Sequence, residues 1–308
     1  MSGSEPTPEV GAFTGEWDPS LIRRMMALGG PMFKLYFRSE VRDIDRIPPG
    51  GALIVSNHSG GPATVDVPTL WLKFFETFGY DRPMYTLGLD LLFTGPLAAV
   101  MKHLGMIRAS RDNAIGALRS GAVVVVFPGG DNDAMRPTSQ QAVIDFSGRT
   151  GYVTTAIEAG VPIVPVVAIG GQETALFLTR GERLSHVLAL DRLLRLKVVP
   201  IQIAPPFGLT VLDLPGRLPL PSQITIQVLP RIDLRRRFGP DPDEEAVYHA
   251  VTAIMQEALD ELSAERDLPV LGTLGHRHEG SEVVEELEHG GLEREVEAAI
   301  EAERPHPG

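Results

Sequence analysis

The residues with the clearest potential for chemistry are a histidine and an aspartate on either side of a glycine-rich turn. His58 follows the short apolar run 52–56, and Asp66 comes eight positions later, beyond Gly60 and Gly61. An aspartate that holds one ring nitrogen of a histidine leaves the other nitrogen free to take a proton from a hydroxyl group. A lone histidine more often has a structural role, but the glycine turn and the uncharged strand before it favour chemistry here. The pattern therefore predicts a general base, His58, oriented by Asp66.

Two later segments are typical of sites that bind anions. Ser110 is suited to cap a helix that begins at Arg111, where free backbone N–H groups attract a phosphate. Gly129 and Gly130 follow a second apolar run, 122–127, and glycines at a strand end let backbone N–H groups approach an oxyanion. Taken alone, Arg111 is more typical of a solvated surface charge.

The elements that must position these residues are short strands that alternate with helices. The strands are predicted from brief β-branched runs bounded by glycine or proline, and the helices from the stretches between them. The predicted strands are 52–56, 122–127, 163–169, 198–204 and 224–229, and the predicted helices are 69–78, 91–103, 111–119, 151–159 and 244–265. This alternation predicts an α/β sheet covered on both faces, in which ligands bind at the carboxyl ends of strands. Pro162 and Pro165 suit the entry of a strand or an edge strand.

A segment near the N-terminus, 18–38, combines apolar and basic residues. Asp18 is suited to cap a helix with Pro19 at its first position, and Gly29-Gly30-Pro31 predicts a break before a second apolar stretch, 32–37. Two interpretations stay open. The segment is either a pair of helices packed on the core, or an interfacial anchor with apolar side chains among acyl chains and basic ones near lipid phosphates.

Composition excludes several classes of protein and site. The chain of 308 residues has no cysteine, which excludes a disulfide framework, a thiolate nucleophile and a cysteine-based zinc site. Its net charge of −12 argues against nucleic acid as the main partner, and we expect no metal site. Charge-free runs are shorter than the roughly 18–20 residues that cross a bilayer, and the N-terminus lacks a signal-peptide pattern. We therefore expect a cytoplasmic protein.

The chain divides into four parts by composition and pattern. Residues 1–15 are rich in proline, glycine and serine and are predicted to be disordered, and 16–40 are predicted to form amphipathic helices at a membrane surface. A catalytic domain is expected at 41–270. Residues 271–308 form an acidic tail that is predicted to be disordered or loosely helical.

Four sequence blocks, taken in order, resemble those of the glycerolipid (lysophospholipid) acyltransferase family over roughly residues 41–229. The family blocks are a His followed by an Asp, Gly-x-aromatic/aliphatic-x-x-x-Arg, Phe-Pro-Glu-Gly and Val-Pro-Ile-Val-Pro, and the second and fourth match this chain closely, at 105–111 and 161–165. Two departures stand out. Seven residues separate His58 from Asp66, where the family has four, and Gly129 stands where the family has a glutamate, with Asp131 as the candidate substitute.

This resemblance implies a fold and an activity. The fold would be α/β, with a mixed, largely parallel sheet flanked by helices and an N-terminal amphipathic helical region. His58, steadied by Asp66, would remove the proton of a lipid hydroxyl that attacks the thioester of acyl-CoA or acyl-carrier protein, without a covalent acyl-enzyme. Gly129, Gly130 and Asp131 would line the substrate site.

The resemblance also implies partners. Arg111 and Arg136 would bind a phosphate of the acceptor, which would be a lysophospholipid or a related glycerolipid, as in 1-acylglycerol-3-phosphate acyltransferases. Acyl-CoA would be a co-substrate and no cofactor would be required. The protein would work at the cytoplasmic face of a membrane, peripherally attached.

Two other functions stay open. A lipid esterase or thioesterase would use Ser59 as nucleophile, although the chain contains no Gly-x-Ser-x-Gly elbow. A non-catalytic lipid-binding protein on the same fold would be consistent with the departure at Gly129, but a site without activity has no chemical need for the His58 and Asp66 pair.

Overall fold

A computed structural model describes residues 16–61, 64–93, 98–181, 186, 199–211 and 216–266. The expected disorder of residues 1–15 and the expected acidic tail at 271–308 lie outside the described residues. The described strands are β1 (Glu40–Arg42), β2 (Ala52–Ser56), β3 (Met84–Gly88), β4 (Met106–Arg108), β5 (Val123–Val126), β6 (Ile163–Ile169), β7 (Leu176–Thr179), β8 (Ile201–Ala204), β9 (Gly208–Val211) and β10 (Thr225–Val228). The described α-helices are α1 (Pro19–Pro31), α2 (Asp66–Phe78), α3 (Ala98–His103), α4 (Arg111–Arg119), α5 (Asp131–Ala134), α6 (Gly151–Ala159), α7 (Leu234–Phe238) and α8 (Glu244–Glu265).

Seven of these strands form one sheet in the order β1-β10-β6-β2-β5-β3-β4. Strands β6, β2, β5, β3 and β4 are parallel to one another, while β10 is antiparallel to β6 and parallel to β1. The predicted α/β fold with a mixed, largely parallel sheet is therefore confirmed. The carboxyl ends of the five parallel strands all lie at one edge of the sheet, where His58 follows β2 and the Gly129–Gly130 turn follows β5. The second block, 105–111, contains β4, and the fourth block, 161–165, enters β6 from the opposite edge.

Helices cover both faces of this sheet because its strands are apolar on both sides. Ile54, Val123 and Val125 face a layer formed by α1 and α2, whereas Leu53 and Val124 face a layer formed by α4, α6 and α8. Adjacent residues of a strand point to opposite faces, so a strand buried on both sides reads as a continuous apolar run. This burial explains why the sequence predicts β2, β5 and β6.

The N-terminal segment differs from its prediction. Helix α1 runs through Gly29 and Gly30 to Pro31 and continues into a π-helical turn, Met32–Tyr36, so the predicted break does not occur. Gly30 lies against Leu72 of α2, where an added Cβ would be 3.4 Å from Leu72 Cδ1. A side chain at position 30 would make ordinary van der Waals contact there, and Pro31 marks the change from the α-helix to the π-helical turn.

Other differences concern short or interrupted elements. The predicted helix 91–103 is a 3-10 turn at Asp90–Phe93 and the separate helix α3. The predicted strand 198–204 is described only from 199, and its strand, β8, belongs to a second sheet of order β7-β8-β9, all antiparallel. Strand β6, which carries Pro165, lies between β2 and β10 and is not an edge strand. None of the helices in the described ranges has the length and apolar character that crossing a bilayer requires.

Candidate active site

The predicted pair of His58 and Asp66 meets in space. His58 lies just beyond β2, and Asp66 is the first residue of α2, so the Gly60–Gly61 turn carries the chain from the sheet to the helix. His58 Nδ1 is 3.1 Å from Asp66 Oδ2. The longer spacing in the sequence is therefore absorbed by the turn, and the pairing is kept.

The carboxylate of Asp66 is held on both oxygens. Oδ2 also accepts the backbone N–H of Ser59 at 2.9 Å, and Oδ1 accepts the N–H of Val67 at 2.7 Å and the hydroxyl of Thr64. The side chain is buried at the N-terminus of a helix, where a negative charge is stabilised. These contacts fix the carboxylate and, through it, the plane of the imidazole, so that Nε2 faces away from Asp66.

The imidazole of His58 is mostly enclosed, with 18% of the side chain exposed. Its ring centroid is 4.3 Å from that of Phe127, which follows β5. Burial lowers the pKa of His58, but the charge and hydrogen bond of Asp66 and the charge of Asp133 outweigh burial, so the pKa lies above its ordinary value. An enclosed ring that is held by a carboxylate and still open at one nitrogen has the geometry of a general base.

The turn that follows His58 is fixed by residues from three other segments. Gly60 has a positive φ of 93°, and an added Cβ would lie 3.0 Å from the carbonyl oxygen of Gly171, which follows β6. Arg217 Nη2 donates to Gly60 O at 2.9 Å, and the N–H of Gly61 donates to Ala134 O at 2.8 Å. The buried Arg217 therefore has a positioning role that sequence reasoning missed.

The third sequence block contributes a residue that was also missed, Asp133. Its Oδ2 accepts the backbone N–H of His58 at 2.7 Å, and its side chain is buried. Gly129 makes room for it, because a Cβ at position 129 would lie 2.4 Å from Asp133 Cβ. A signal was present in the sequence: the missing glutamate at 129 is followed by a carboxylate four positions later.

Two expectations for this block need correction. Asp131, the candidate substitute for the missing glutamate, is partly exposed and lies 3.9 Å from Arg149, whereas Asp133 is the carboxylate directed inward. Arg136, expected at a substrate phosphate, is buried and donates from Nη2 to Asp133 Oδ1 at 3.0 Å and to Asp145 O at 3.4 Å. Its guanidinium is thus committed to an internal ion pair.

A different arginine borders the glycine turn. Arg149, which precedes α6, donates from Nη1 to Pro128 O at 2.7 Å and to Gly129 O at 2.8 Å. Its side chain is 45% exposed, so an anion can approach the guanidinium. Gly130 lies beneath it with a positive φ of 56°.

Arg111 occupies the predicted helix start but lies farther along the edge of the sheet. Ser110 caps α4 by accepting the N–H of Asn113 at 3.2 Å, as predicted. The half-exposed Arg111 side chain reaches Glu158 of α6, with Nη1 at 3.3 Å from Oε1. Because β4 is three strands from β2, about 14 Å separate the two strand ends.

The geometry of Ser59 does not support a serine nucleophile. Its hydroxyl is buried, makes no hydrogen bond among the described residues, and lies where a Cβ on Gly171 would be 2.1 Å from Oγ. Its backbone N–H donates to the same Asp66 oxygen as His58. A base that activates Ser59 would have to reach a hydroxyl that is packed against backbone.

Sequence comparisons connect the chain to known proteins. Residues 38–169 match the Acyltransferase family. An uncharacterized protein of Mycobacterium tuberculosis is 27% identical over 263 residues, which cover 85% of this chain and 69% of the relative. A Mus musculus protein named "DGAT1/2-independent enzyme synthesizing storage lipids" is 28% identical over 128 residues, or 41% of this chain and 37% of that protein.

A solved structure shares the fold. The 1-acyl-sn-glycerophosphate (LPA) acyltransferase PlsC from Thermotoga maritima superposes with a TM-score of 0.50 and 18% sequence identity, covering 79% of this chain and 81% of that chain. The family match spans β2, the turn with His58 and Asp66, β5 and β6, which are the elements that build the site. The chain therefore resembles the Acyltransferase family over residues 38–169 and has the fold of the PlsC structure.

Proposed function

We propose that this protein moves a fatty acyl group from a thioester, acyl-CoA or acyl-carrier protein, to a hydroxyl of a lysophospholipid or related glycerolipid. The observation that carries the proposal is the partly buried contact of 3.1 Å between His58 Nδ1 and Asp66 Oδ2 at the carboxyl edge of the sheet. It supplies an oriented base where α/β proteins bind their ligands.

In the proposed reaction, His58 Nε2 takes the proton of the acceptor hydroxyl as its oxygen attacks the thioester carbonyl. The new C–O bond forms, the C–S bond breaks, and the imidazolium returns the proton to the leaving thiolate. The backbone N–H of Gly129 is the proposed donor to the oxyanion, worth about 3–4 kcal/mol. The N–H of Gly130 instead donates to Phe127 O at 3.1 Å. No acyl-enzyme is required, in keeping with the packed hydroxyl of Ser59.

The acceptor class depends on the cations at this edge of the sheet. Arg149 beside the glycine turn and Arg111 at the start of α4 are both half-exposed, and we propose them as the groups that meet an acceptor phosphate. The names of two relatives differ here, since one specifies a lysophosphatidate acyltransferase and the other a storage-lipid enzyme. Both acceptor classes therefore belong in the test.

We further propose that the segment 16–40 rests on the surface of a membrane, where the lipid acceptor resides. Its outer face carries large apolar side chains, and basic side chains punctuate the same segment. The exposed apolar residues are Met25, Leu28, Met32, Leu35 and Tyr36.

The decisive experiment measures free CoA thiol released from long-chain acyl-CoA, with lysophosphatidate, with diacylglycerol or with no acceptor. We expect acceptor-stimulated release in the wild type and a loss of at least roughly 10²–10⁴-fold in His58→Ala, the usual worth of a general base. The control is His249→Ala, since His249 is an exposed histidine on α8.

The reactions with and without acceptor distinguish the alternative functions. A rate of CoA release that is the same with and without each acceptor would indicate hydrolysis. Equal rates for His58→Ala and the wild type would remove the proposed base, and no release from any variant would favour a non-catalytic lipid binder.

A further inference from the structure

The catalytic histidine is bracketed by two buried aspartates, only one of which touches its ring. Asp66 holds the side chain through Nδ1, and Asp133 holds the backbone, with 2.7 Å between His58 N and Asp133 Oδ2. Asp133 comes from the short helix α5 after β5, the strand next to β2. A backbone N–H that donates to an ionised carboxylate makes a short, strong hydrogen bond. This bond fixes the path of the backbone just after β2, and therefore the position from which the His58 side chain extends.

The second oxygen of Asp133 is occupied by Arg136. Oδ1 accepts from Arg136 Nη2 at 3.0 Å and from Nε at 3.3 Å, and both residues are buried. Burial raises the pKa of Asp133 above its ordinary value, and Arg136, the His58 N–H and the charge of His58 oppose that rise only in part. Without its cation, a carboxylate at this depth would tend to take a proton. Arg136 thus keeps the charge of Asp133 in place.

The arrangement depends on the departure at position 129. A Cβ there would lie 2.4 Å from Asp133 Cβ and 2.9 Å from Oδ2, so Asp133 fills the space next to the backbone from which a glutamate side chain would start. A glutamate at 129 and this position of Asp133 are sterically incompatible. The glycine at 129 and the inward carboxylate of Asp133 therefore occur together, in place of a glutamate at 129.

We propose that Asp133 is a positioning residue for acyl transfer, which anchors the backbone of His58 and stabilises the imidazolium that forms when the acceptor hydroxyl loses its proton. The proposal rests on the proposed function, because it assumes that His58 is the base. The charged groups around the ring are Asp66 at Nδ1, Asp133 at the backbone and Arg136 behind Asp133. Of these, Asp133 alone can be made neutral while an acceptor oxygen remains for the His58 N–H.

The test compares Asp133→Asn with the wild type by two measurements. The pKa of His58 is read from an NMR titration of labelled histidine, assigned with His58→Gln, and kcat/KM for acyl transfer is measured as a function of pH. With the charge gone, the pKa of His58 should fall by up to about one unit. Because His58 acts when unprotonated, the acidic limb of kcat/KM should move to lower pH by the same amount, and kcat should fall more than KM rises.

Two further variants keep the result interpretable. Asp133→Asn leaves Arg136 as an unpaired buried cation, so Asp133→Asn/Arg136→Met removes both charges and should show the same shift if the single variant fails to fold. The matched control is Asp241→Asn, which removes one exposed carboxylate from the loop that precedes α8 and should leave the pKa of His58 unchanged.

The outcomes distinguish the inference from the function on which it rests. Folded variants with lower activity but an unchanged titration of His58 and an unmoved acidic limb would overturn the positioning role. A shifted titration in a protein without His58-dependent acyl transfer would remove the proposed function and leave the electrostatic coupling of Asp133 to His58 established.

Discussion

At Gly129 the backbone passes so close to Asp133 that no side chain fits between them. The nearest atom to a Cβ at this position would be Asp133 Cβ at 2.4 Å, a separation that requires one of the two residues to move. Asp133 is tied to both His58 and Arg136, so it has little freedom to yield. The absence of a side chain at residue 129 is thus a requirement of the site.

Gly129→Ala should therefore lower the free energy of unfolding by about 1–3 kcal/mol, the usual cost of adding volume to a filled space. It should also lower kcat, because displaced Asp133 releases the His58 backbone. Urea unfolding and the CoA-release assay measure the two effects. Gly151→Ala is the control, since a Cβ at this helix start meets nothing within 4 Å. If both alanine variants unfold at the same urea concentration, the steric argument is wrong.

The arginines show why sequence reasoning placed some site residues and misplaced others. Arg136 and Arg149 are both near the glycine turn in the fold, yet only Arg136 is near it in the sequence. Local spacing predicted the nearby arginine, but its burial and its ion pair with Asp133 decide its role, and spacing reveals neither. His58 and Asp66 could be predicted because their contact spans a single turn.

At the scale of elements, the two interpretations of the N-terminal segment describe opposite faces of one helix. The inner face of α1 and the π-helical turn buries Ile22, Met26 and Phe33 against α2 and the sheet. The outer face leaves Leu28 and Leu35 exposed to 82% and 79%. Apolar residues on both faces exceed what a surface helix needs for packing, so the outer stripe requires a separate explanation.

Replacing the two most exposed leucines, in Leu28→Gln/Leu35→Gln, should weaken binding to vesicles of anionic phospholipid by at least roughly tenfold. Transfer of a leucine side chain out of water is worth about 1.5–3 kcal/mol, so even partial insertion of two side chains accounts for this loss. Thermal stability should change little, since neither side chain packs on the core. Vesicle co-sedimentation measures the binding.

The control for this prediction is Val143→Gln, which removes an exposed apolar side chain from a loop far from α1 in the sequence. Equal losses in the control and the double variant would point to a general surface effect. Undiminished binding by the double variant would exclude α1 as the anchor.

The strands differ in how well the sequence could predict them, for a physical reason. β2 and β6 were predicted at their observed bounds because both lie inside the sheet and are apolar along almost their whole length. β4 has three residues, and β3 carries Thr86 among mixed neighbours, so neither produces a distinctive run. Pro165 suggested an edge strand, but it lies one residue beyond the last β6–β10 pair, Val166 with Val228. Its carbonyl oxygen still accepts the N–H of Leu229.

At the scale of the whole molecule, one buried carboxylate joins parts of the chain that are far apart in sequence. Glu173 lies just after β6 and accepts hydrogen bonds from Gln141, Ser222 and Arg266, at 2.7, 2.8 and 2.6 Å. Arg266 follows α8, so this contact ties the last described helix to the edge of the sheet that holds the candidate active site. Burial raises the pKa of Glu173, and Arg266 followed by the two other donors opposes that rise.

Arg266→Ala should lower the free energy of unfolding by about 3–5 kcal/mol at neutral pH, because it leaves Glu173 buried without its cation. The folded state would then hold a proton on Glu173, so the deficit should shrink as pH falls toward the ordinary pKa of a glutamate and grow as pH rises. Glu173→Gln/Arg266→Met should recover most of the loss, since no buried charge remains.

The control is Arg42→Ala. Arg42 pairs with Glu265 at the same distance of 2.6 Å, but both side chains are solvent-accessible, so this variant should lower the free energy of unfolding by about 1 kcal/mol or less. Urea unfolding across pH measures all three variants, and similar losses in Arg42→Ala and Arg266→Ala would show that burial does not set the strength of these two pairs.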